Sequence, residues 1–395
     1  MAEVDSLPAK KLIDTINNIF KKQQSQGIYK HEPIQGLEYL VSVLSTYDTS
    51  DPRDTINAFR NIAKQTYVFT THKNPAQSAL QRSAESDYTR GLLDVYTSFV
   101  QSIYRNTGYI DIICRHWAMP ELTTRSQYYP PLSTLPSWIQ TMDVADLDNI
   151  HGPYNACYHQ LANVCFGRDI EPDNSFIDVE GVQIGKIRWS SGPTVDGSVP
   201  LSALLQLFDM DHIPEEIDST PDKVWRTLAA ERGSNGEQPP GLYQTACNYV
   251  LSKVTVNGHI NTKDILGRDP PYMVEAYLKR VHGVIWDRCF IEVEAQAQEL
   301  GAGKRLHGLA PNNASVGDIV SVRFGCTVPV LLRDYTDSQE QTSYHLIGEM
   351  YVYGLMDGEA IFPRSSSDLD ADKTFFRINC VSTIRVGLAG IAIVA

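Results

Sequence analysis

Eight side chains offer the chemistry that can be read from the sequence. Arg226 and His345 are donors able to polarise a carbonyl or hold a carboxylate, and Glu349 is a carboxylate set among apolar and aromatic neighbours. Tyr128, Tyr129, Trp138, Trp189 and Tyr353 are amphipathic aromatics of the kind that wall small-molecule pockets, giving apolar surface and a polar handle at once. Together they suit catalysis by positioning, in which a dry, shaped cavity holds reactive ends in near-attack geometry. Donors aimed at a carbonyl would add electrostatic stabilisation. Such a site works without cofactor or metal, and none is expected. The stretch YHLIGEMYVYGLMDGEAI (344–361) gathers Glu349, Asp357 and Glu359. On a strand, Glu349 shares one face with Ile347, Tyr351, Tyr353 and Leu355. Asp357-Gly358 reads as turn chemistry. A proton-sharing pair of Glu349 and Glu359 would require a hairpin that brings their carboxyls together.

The signatures of other chemistries are missing. There is no GxSxG elbow, Walker A loop, HExxH or EF-hand loop. GAGKR at 301–305 lacks the spacing of a nucleotide fingerprint and reads as a turn. Seven cysteines at 114, 157, 165, 247, 289, 326 and 380 contain no CxxC pair, which speaks against a disulfide framework and a zinc site. They read as buried free thiols of a reducing compartment. The ten histidines are dispersed, with His116 and His282 read as packing or surface residues; a Cys–His pair that meets only in space stays open.

The charge balance of −13, from 34 basic and 47 acidic side chains, disfavours nucleic acid and anionic membranes as partners. MAEVDSLPAKKLID has no apolar core of a secretory signal. VGLAGIAIVA at the other end is about half the length of a bilayer helix and reads as a buried strand. The expectation is a soluble, cytoplasmic protein with no membrane span and a small apolar molecule as its partner, its oligomeric state open.

The elements that must position these residues read as α+β: a helical N-terminal part packed on a C-terminal part with mainly antiparallel strands. With 395 residues, 42% of them apolar, a large core is within reach. Three regions are expected: 1–130 helical, 131–310 mixed, and 311–395 rich in strands. Apolar spacing predicts helices over Lys11–Lys22, Gly36–Leu44, Tyr88–Tyr104 and Pro271–Val281, and in PDKVWRTLAAER and LYQTACNYVLSKV. Ser50 or Asp51 can cap a further helix beginning near Pro52. Proline- and tyrosine-rich residues 120–155 read as a long connection, and GSNGEQPPG as a surface loop. SFIDVEGVQIGKIRWSS reads as a β-hairpin turning at Glu180-Gly181. Strands are expected in DIVSVRFG, VPVLLRDY, YHLIGEMYVYG and from Phe375 on.

Several segments in order resemble the part of fungal heterokaryon-incompatibility (HET) proteins that follows their catalytic-looking N-terminal domain. They are SDPRDTINAFRNIA (50–63), SDYTRGLLDVYTSFV (86–100), LPSWIQ (135–140), IDVEGVQIGKI (177–187), WRTLAAER (225–232), HGLAPNNASVGDIVSVRFGCTVPVLLR (307–333) and the 344–361 stretch. The resemblance covers most of the chain from about residue 36. The aromatic-rich segments of the HET domain itself are not found, and LPSW continues as IQTMD where the family places Asp-Trp. In the family the HET domain is the one expected to deliver the cell-death signal, so this chain is not expected to be an executioner.

Two readings follow. In the first, the scaffold has been recruited as a cofactor-independent pericyclase of the Diels–Alder type in fungal secondary metabolism. It would close an apolar terpenoid or polyketide, as the norbornene-forming synthase of sordarin biosynthesis does; that analogy is one of overall character. In the second, the protein is a non-enzymatic, HET-derived interaction or self-recognition protein. A Cys- or carboxylate-based hydrolase ranks last, since no activating arrangement is visible. A closed apolar pocket with aromatic walls favours the first, and a solid core with an exposed apolar patch the second.

Overall fold

The computed structural model describes residues 20–25, 28–45, 49–60, 62–64, 88–119, 135–142, 154–168, 175–195, 197–212, 219–234, 236–254, 259–296, 300, 303–336, 342–361 and 374–378. Its first elements depart from expectation. Phe20–Ser25 (β1) and Ile28–Pro33 (β2) pair as an antiparallel hairpin, Phe20 opposite Pro33 and Ser25 opposite Ile28. The predicted helix therefore does not extend through Phe20–Lys22, and the rest of its stripe lies outside the described residues. Beyond Phe20 the run Lys-Lys-Gln-Gln has no apolar face to hold a helix against a core, so a ladder satisfies the backbone instead.

The amphipathic segments behave as their spacing dictates. Leu37–Leu44 (α1) buries Leu40, Val41 and Leu44. Asp54–Arg60 (α2) follows Asp51, whose Oδ1 accepts the Arg53 backbone N–H at 2.9 Å. Leu92–Thr107 (α3) buries Val95, Tyr96, Phe99, Val100 and Ile103 and ends on Gly108 at φ 74°, the left-handed cap that glycine takes without strain. A 3-10 turn at Asp111–Cys114 leads to Trp117, whose ring meets Tyr96 and Phe99 edge-on at 4.9 Å each.

The largest correction concerns Glu180-Gly181. Val164–Arg168 (β3) is followed by Ser175–Pro193 (β4), a single strand of 19 residues with no turn in it. Gly181 answers a different need: a Cβ there would lie 2.3 Å from the Val322 carbonyl oxygen, so the residue permits close approach of a neighbouring strand. After Ser198–Val199 (β5) come the helices Leu201–Phe208 (α4), Asp222–Leu228 (α5) and Leu242–Val254 (α6). Then follow Ile260–Asn261 (β6), Thr262–Leu266 (α7) and Tyr272–Ile285 (α8).

The remaining strands are Arg288–Ala295 (β7), Arg305–Pro311 (β8), Ile319–Arg323 (β9), Val330–Thr336 (β10), Thr342–Glu349 (β11), Tyr351–Val352 (β12) and Thr374–Ile378 (β13). They join β3 and β4 in one sheet, all its pairings antiparallel except β11 with β13. The order is β12-β8-β7-β4-β13-β11-β10-β9, and β9 also pairs with β4. Since β11 runs into β12, the strands β4, β7, β8, β12/β11, β10 and β9 form a closed ring, an antiparallel barrel. Of GAGKR, Gly303 and Lys304 lead into β8, with the Gly303 N–H donating to the Ala295 carbonyl.

Two cores follow from this closure. Val182, Ile184, Ile291, Val293, Val320, Val322, Leu331, Ile347 and Val352 fill one cluster. Phe290, Leu309, Ile319, Leu332, Leu346 and Tyr351 join the helices in the other. Adjacent residues such as Leu331/Leu332 and Leu346/Ile347 thus point to opposite sides, one inside the barrel and one beneath the helical layer. The chain leaves β4 into this layer and re-enters at β7 at one point, where Thr194 donates to the Arg288 carbonyl and Asp287 to that of Thr194.

Candidate functional site

The structure brings Tyr353 near Arg226 and disperses the other sequence-predicted residues that it describes. Arg226, in the last turn of α5, donates to Glu231 Oε1 at 2.8 Å, lies 3.5 Å from Asp222, and stacks 4.5 Å over the Trp225 ring. Tyr353 comes to the same neighbourhood: burial raises its pKa, Asp222 and Glu231 raise it further, and Arg226 opposes them. Glu349 ends β11 and accepts from Arg288 at 3.1 Å. His345 faces Arg333 across the β10–β11 ladder; burial, then that guanidinium, lowers its pKa. Trp138 is fully buried, 6.1 Å edge-on from Phe166. Trp189 lies on β4, half-buried against the helix-side core. Tyr128 and Tyr129 lie outside the described residues.

The three carboxylates of 344–361 also separate. Asp357 binds Arg232 Nη2 through both oxygens, at 3.0 and 3.2 Å. Glu359 turns back to accept the Asp357 backbone N–H at 2.8 Å. With Glu349 on Arg288, no proton-sharing pair forms with Glu359. The long strand expected there breaks at Met350, after Gly348 at φ 151°, and this corner hands the chain from β10 to β8.

The helix predicted through WRTLAAER stops at Leu228, and residues 229–232 form a positioned turn. Beyond α5, Ala230 and Glu231 both have left-handed backbone, φ 47° and 52°. Side chains hold its carbonyls: Tyr154 Oη donates to Ala230, and Arg280 Nε to both Ala229 and Arg232 at 3.2 Å. Arg232, 2% exposed, stacks 4.4 Å over the Tyr154 ring. Sequence reading missed Arg232, Tyr154 and Arg280. For Arg232 the signal available was a charge retained just past an apolar helix end.

A cleft of about 380 Å³ opens between α1, the stretch from the end of α3 through Arg115, and the β9–β10 loop. Its lining is Glu38, Tyr39, Thr107, Tyr109, Asp111, Arg115 and Thr327, none singled out by sequence. Asp111 Oδ1 accepts from Thr327 twice, from the backbone N–H at 2.5 Å and from the hydroxyl at 3.0 Å. Arg115 Nη1 lies 3.8 Å from Glu38 Oε1 and donates to Ser42 Oγ at 3.4 Å. Burial raises the pKa of both carboxyls. For Glu38, Arg115 opposes this and Asp111 adds to it; for Asp111, Thr327 and Arg115 oppose and Glu349 adds. One wall is fixed by main-chain bonds: Ile110 to Gly325 O, Gly325 to Gln160 O, Ala162 to Gly108 O and Ala156 to Thr327 O.

Perturbed carboxyls in a cleft mark a candidate site. The lining mixes charged and hydroxyl groups with tyrosine rings and aliphatic stems, suited to a ligand that is part polar and part apolar. Among the described residues, no group of three or more His, Cys, Asp or Glu is arranged to hold a metal ion. No helix among them is long and apolar enough to cross a membrane.

Residues 273–369 match the Het-6 beta-barrel domain, which makes this part of the chain a HET-related region. The matched segment runs from α8 through β12 and leaves out β4, the strand that closes the ring. No curated protein and no solved structure matches the chain.

Proposed function

We propose that the protein is a non-enzymatic recognition module of heterokaryon-incompatibility type, working in the cytoplasm and holding a partner protein at the cleft between α1, Arg115 and the β9–β10 loop. The observation that carries this reading is the open cleft in which Glu38, Asp111 and Arg115 meet beside Tyr39 and Tyr109, set beside the fate of the pocket-wall residues. Trp138 is spent on core packing, Arg226 on Glu231 and Glu349 on Arg288. The test is affinity purification from extract of the source cells. A partner should copurify in stoichiometric amount with the native protein and be lost from the Tyr39→Ala variant, whose exposed ring can be removed with the thermal midpoint unchanged. Retention of that partner by the variant would rule out the cleft.

A second reading, the cofactor-free cyclase, draws on one observation. Trp138 Nε1 and His345 Nδ1 are buried and have no hydrogen-bond partner among the described residues. They flank the hydrogen bond from the Leu346 backbone to Ser137 Oγ. Unpaired buried polar nitrogens are rare enough to need an explanation. Conversion of an apolar polyene by the native protein, abolished in His345→Gln, would establish that reading over recognition.

A further inference from the structure

We infer that the cleft takes the cationic side chain of an arginine or lysine in the partner polypeptide, an inference that rests on the recognition reading above. The charges lining the cavity do not balance. Two carboxylates, Glu38 and Asp111, face one guanidinium, Arg115, and the hydrogen bonds to Asp111 come from the neutral groups of Thr327. Burial raises the pKa of both carboxyls, and a cation entering beside them acts in the opposite direction, favouring their charged form.

The rim supplies rings for such a cation. Tyr39, 45% exposed, and Tyr109 stand in the lining, where an alkyl stem or guanidinium can lie against them. An exposed apolar side chain next to the cleft is available to the residues flanking that cation. Leu161, 59% exposed, lies over Gly108, between the cleft residues Thr107 and Tyr109, and the Tyr158 ring lies over Gly358. Tyr158 and His159 are held at φ 46° and 58°, a backbone form that non-glycine residues adopt at a cost. A chain of net charge −13 also steers basic partners towards itself.

The test uses the full chain and a displayed peptide library whose central position is Arg, Lys, Gln, Glu or Leu. Arg or Lys centres should be enriched about tenfold or more over Gln, a difference of about 1.4 kcal/mol. Glu38→Gln and Asp111→Asn should each weaken the selected peptides, Asn keeping an oxygen for Thr327. Arg115→Gln should tighten them by removing the resident cation, a gain that a merely structural role for Arg115 would not produce. Enrichment of Leu or Glu centres, no enrichment over the protein-free control, or binding unchanged in both carboxamide variants would overturn the inference. A partner that still copurifies in a cleft-dependent way would then leave the recognition reading standing. Loss of both results overturns both.

Discussion

Arg288 and Glu349 meet at 3.1 Å with 11% and 7% of their side chains exposed, so bulk water serves neither charge. Arg288→Met takes the guanidinium from a buried carboxylate and should cost about 3 kcal/mol in urea unfolding. The double change Arg288→Met/Glu349→Leu should recover most of that loss, because a buried pair often gives little over a packed apolar one. His307 gives a pH signature. Its pKa is lowered by burial and then by Lys223 and Arg305, against Asp209 and the Gln206 carbonyl, while Glu292 Oε2 stands 3.9 Å from its Nε2. The folded state therefore favours the neutral ring, whereas the unfolded chain binds a proton near pH 6.5 (about the ordinary His value). Stability should be full above about pH 6.5 and fall as the pH drops below it. His307→Gln should flatten that fall in urea midpoints measured across this range. Glu38, Asp111 and Glu231 act in the opposite sense: their raised pKa values add stability on acidification towards the ordinary carboxylate range. Little of this was legible beforehand. Residue type marked Arg226 and Glu349 as charges in apolar company, but their partners lie elsewhere in the chain, at 231 and 288.

At the scale of elements, β4 is the member that sequence pattern misjudged and α3 the one it placed well. Helical spacing in Leu92–Thr107 is a local signal, and its apolar stripe is the stripe that is buried. A glycine in an alternating run is ambiguous, since a turn and a close strand approach both call for it. Substitution separates the two uses. Gly181→Val sets a side chain against the Val322 carbonyl and should cost about 2 kcal/mol or more, read as a lowered thermal midpoint. Gly241, where an added Cβ meets nothing within 4 Å, should accept alanine with no loss. The β7 and β8 strands escaped notice because both faces are buried. Buried positions on them are held by the polar Glu292 and His307, 4% and 5% exposed, which residue type alone assigns to an outer face.

For the whole molecule, closure of the ring by β9 on β4 predicts a hierarchy of opening. Amides of β4, β7, β9 and β10 should exchange hydrogen together, at the rate of global unfolding. Those of the β1–β2 hairpin should exchange far faster, because it pairs with no other strand among the described residues. Equal protection of both would contradict this. The α+β class was legible from the distribution of helical and strand patterns. The cleft was not, because its walls come from residues 38–39, 107–115 and 327, which meet only once the barrel has closed.

The point where Thr194 and Arg288 bond to each other has a further consequence. Counted along the barrel, everything from α4 to α8 is one hairpin loop. Loop length is thermodynamically cheap, about 0.6 kcal/mol per doubling. A helical layer can thus be lengthened, shortened or exchanged at this doorway without redrawing the strands. What such an exchange must conserve is the apolar underside that covers Phe290, Leu309 and Tyr351. The barrel is the durable part of this architecture, and the layer above it is the part open to evolutionary replacement.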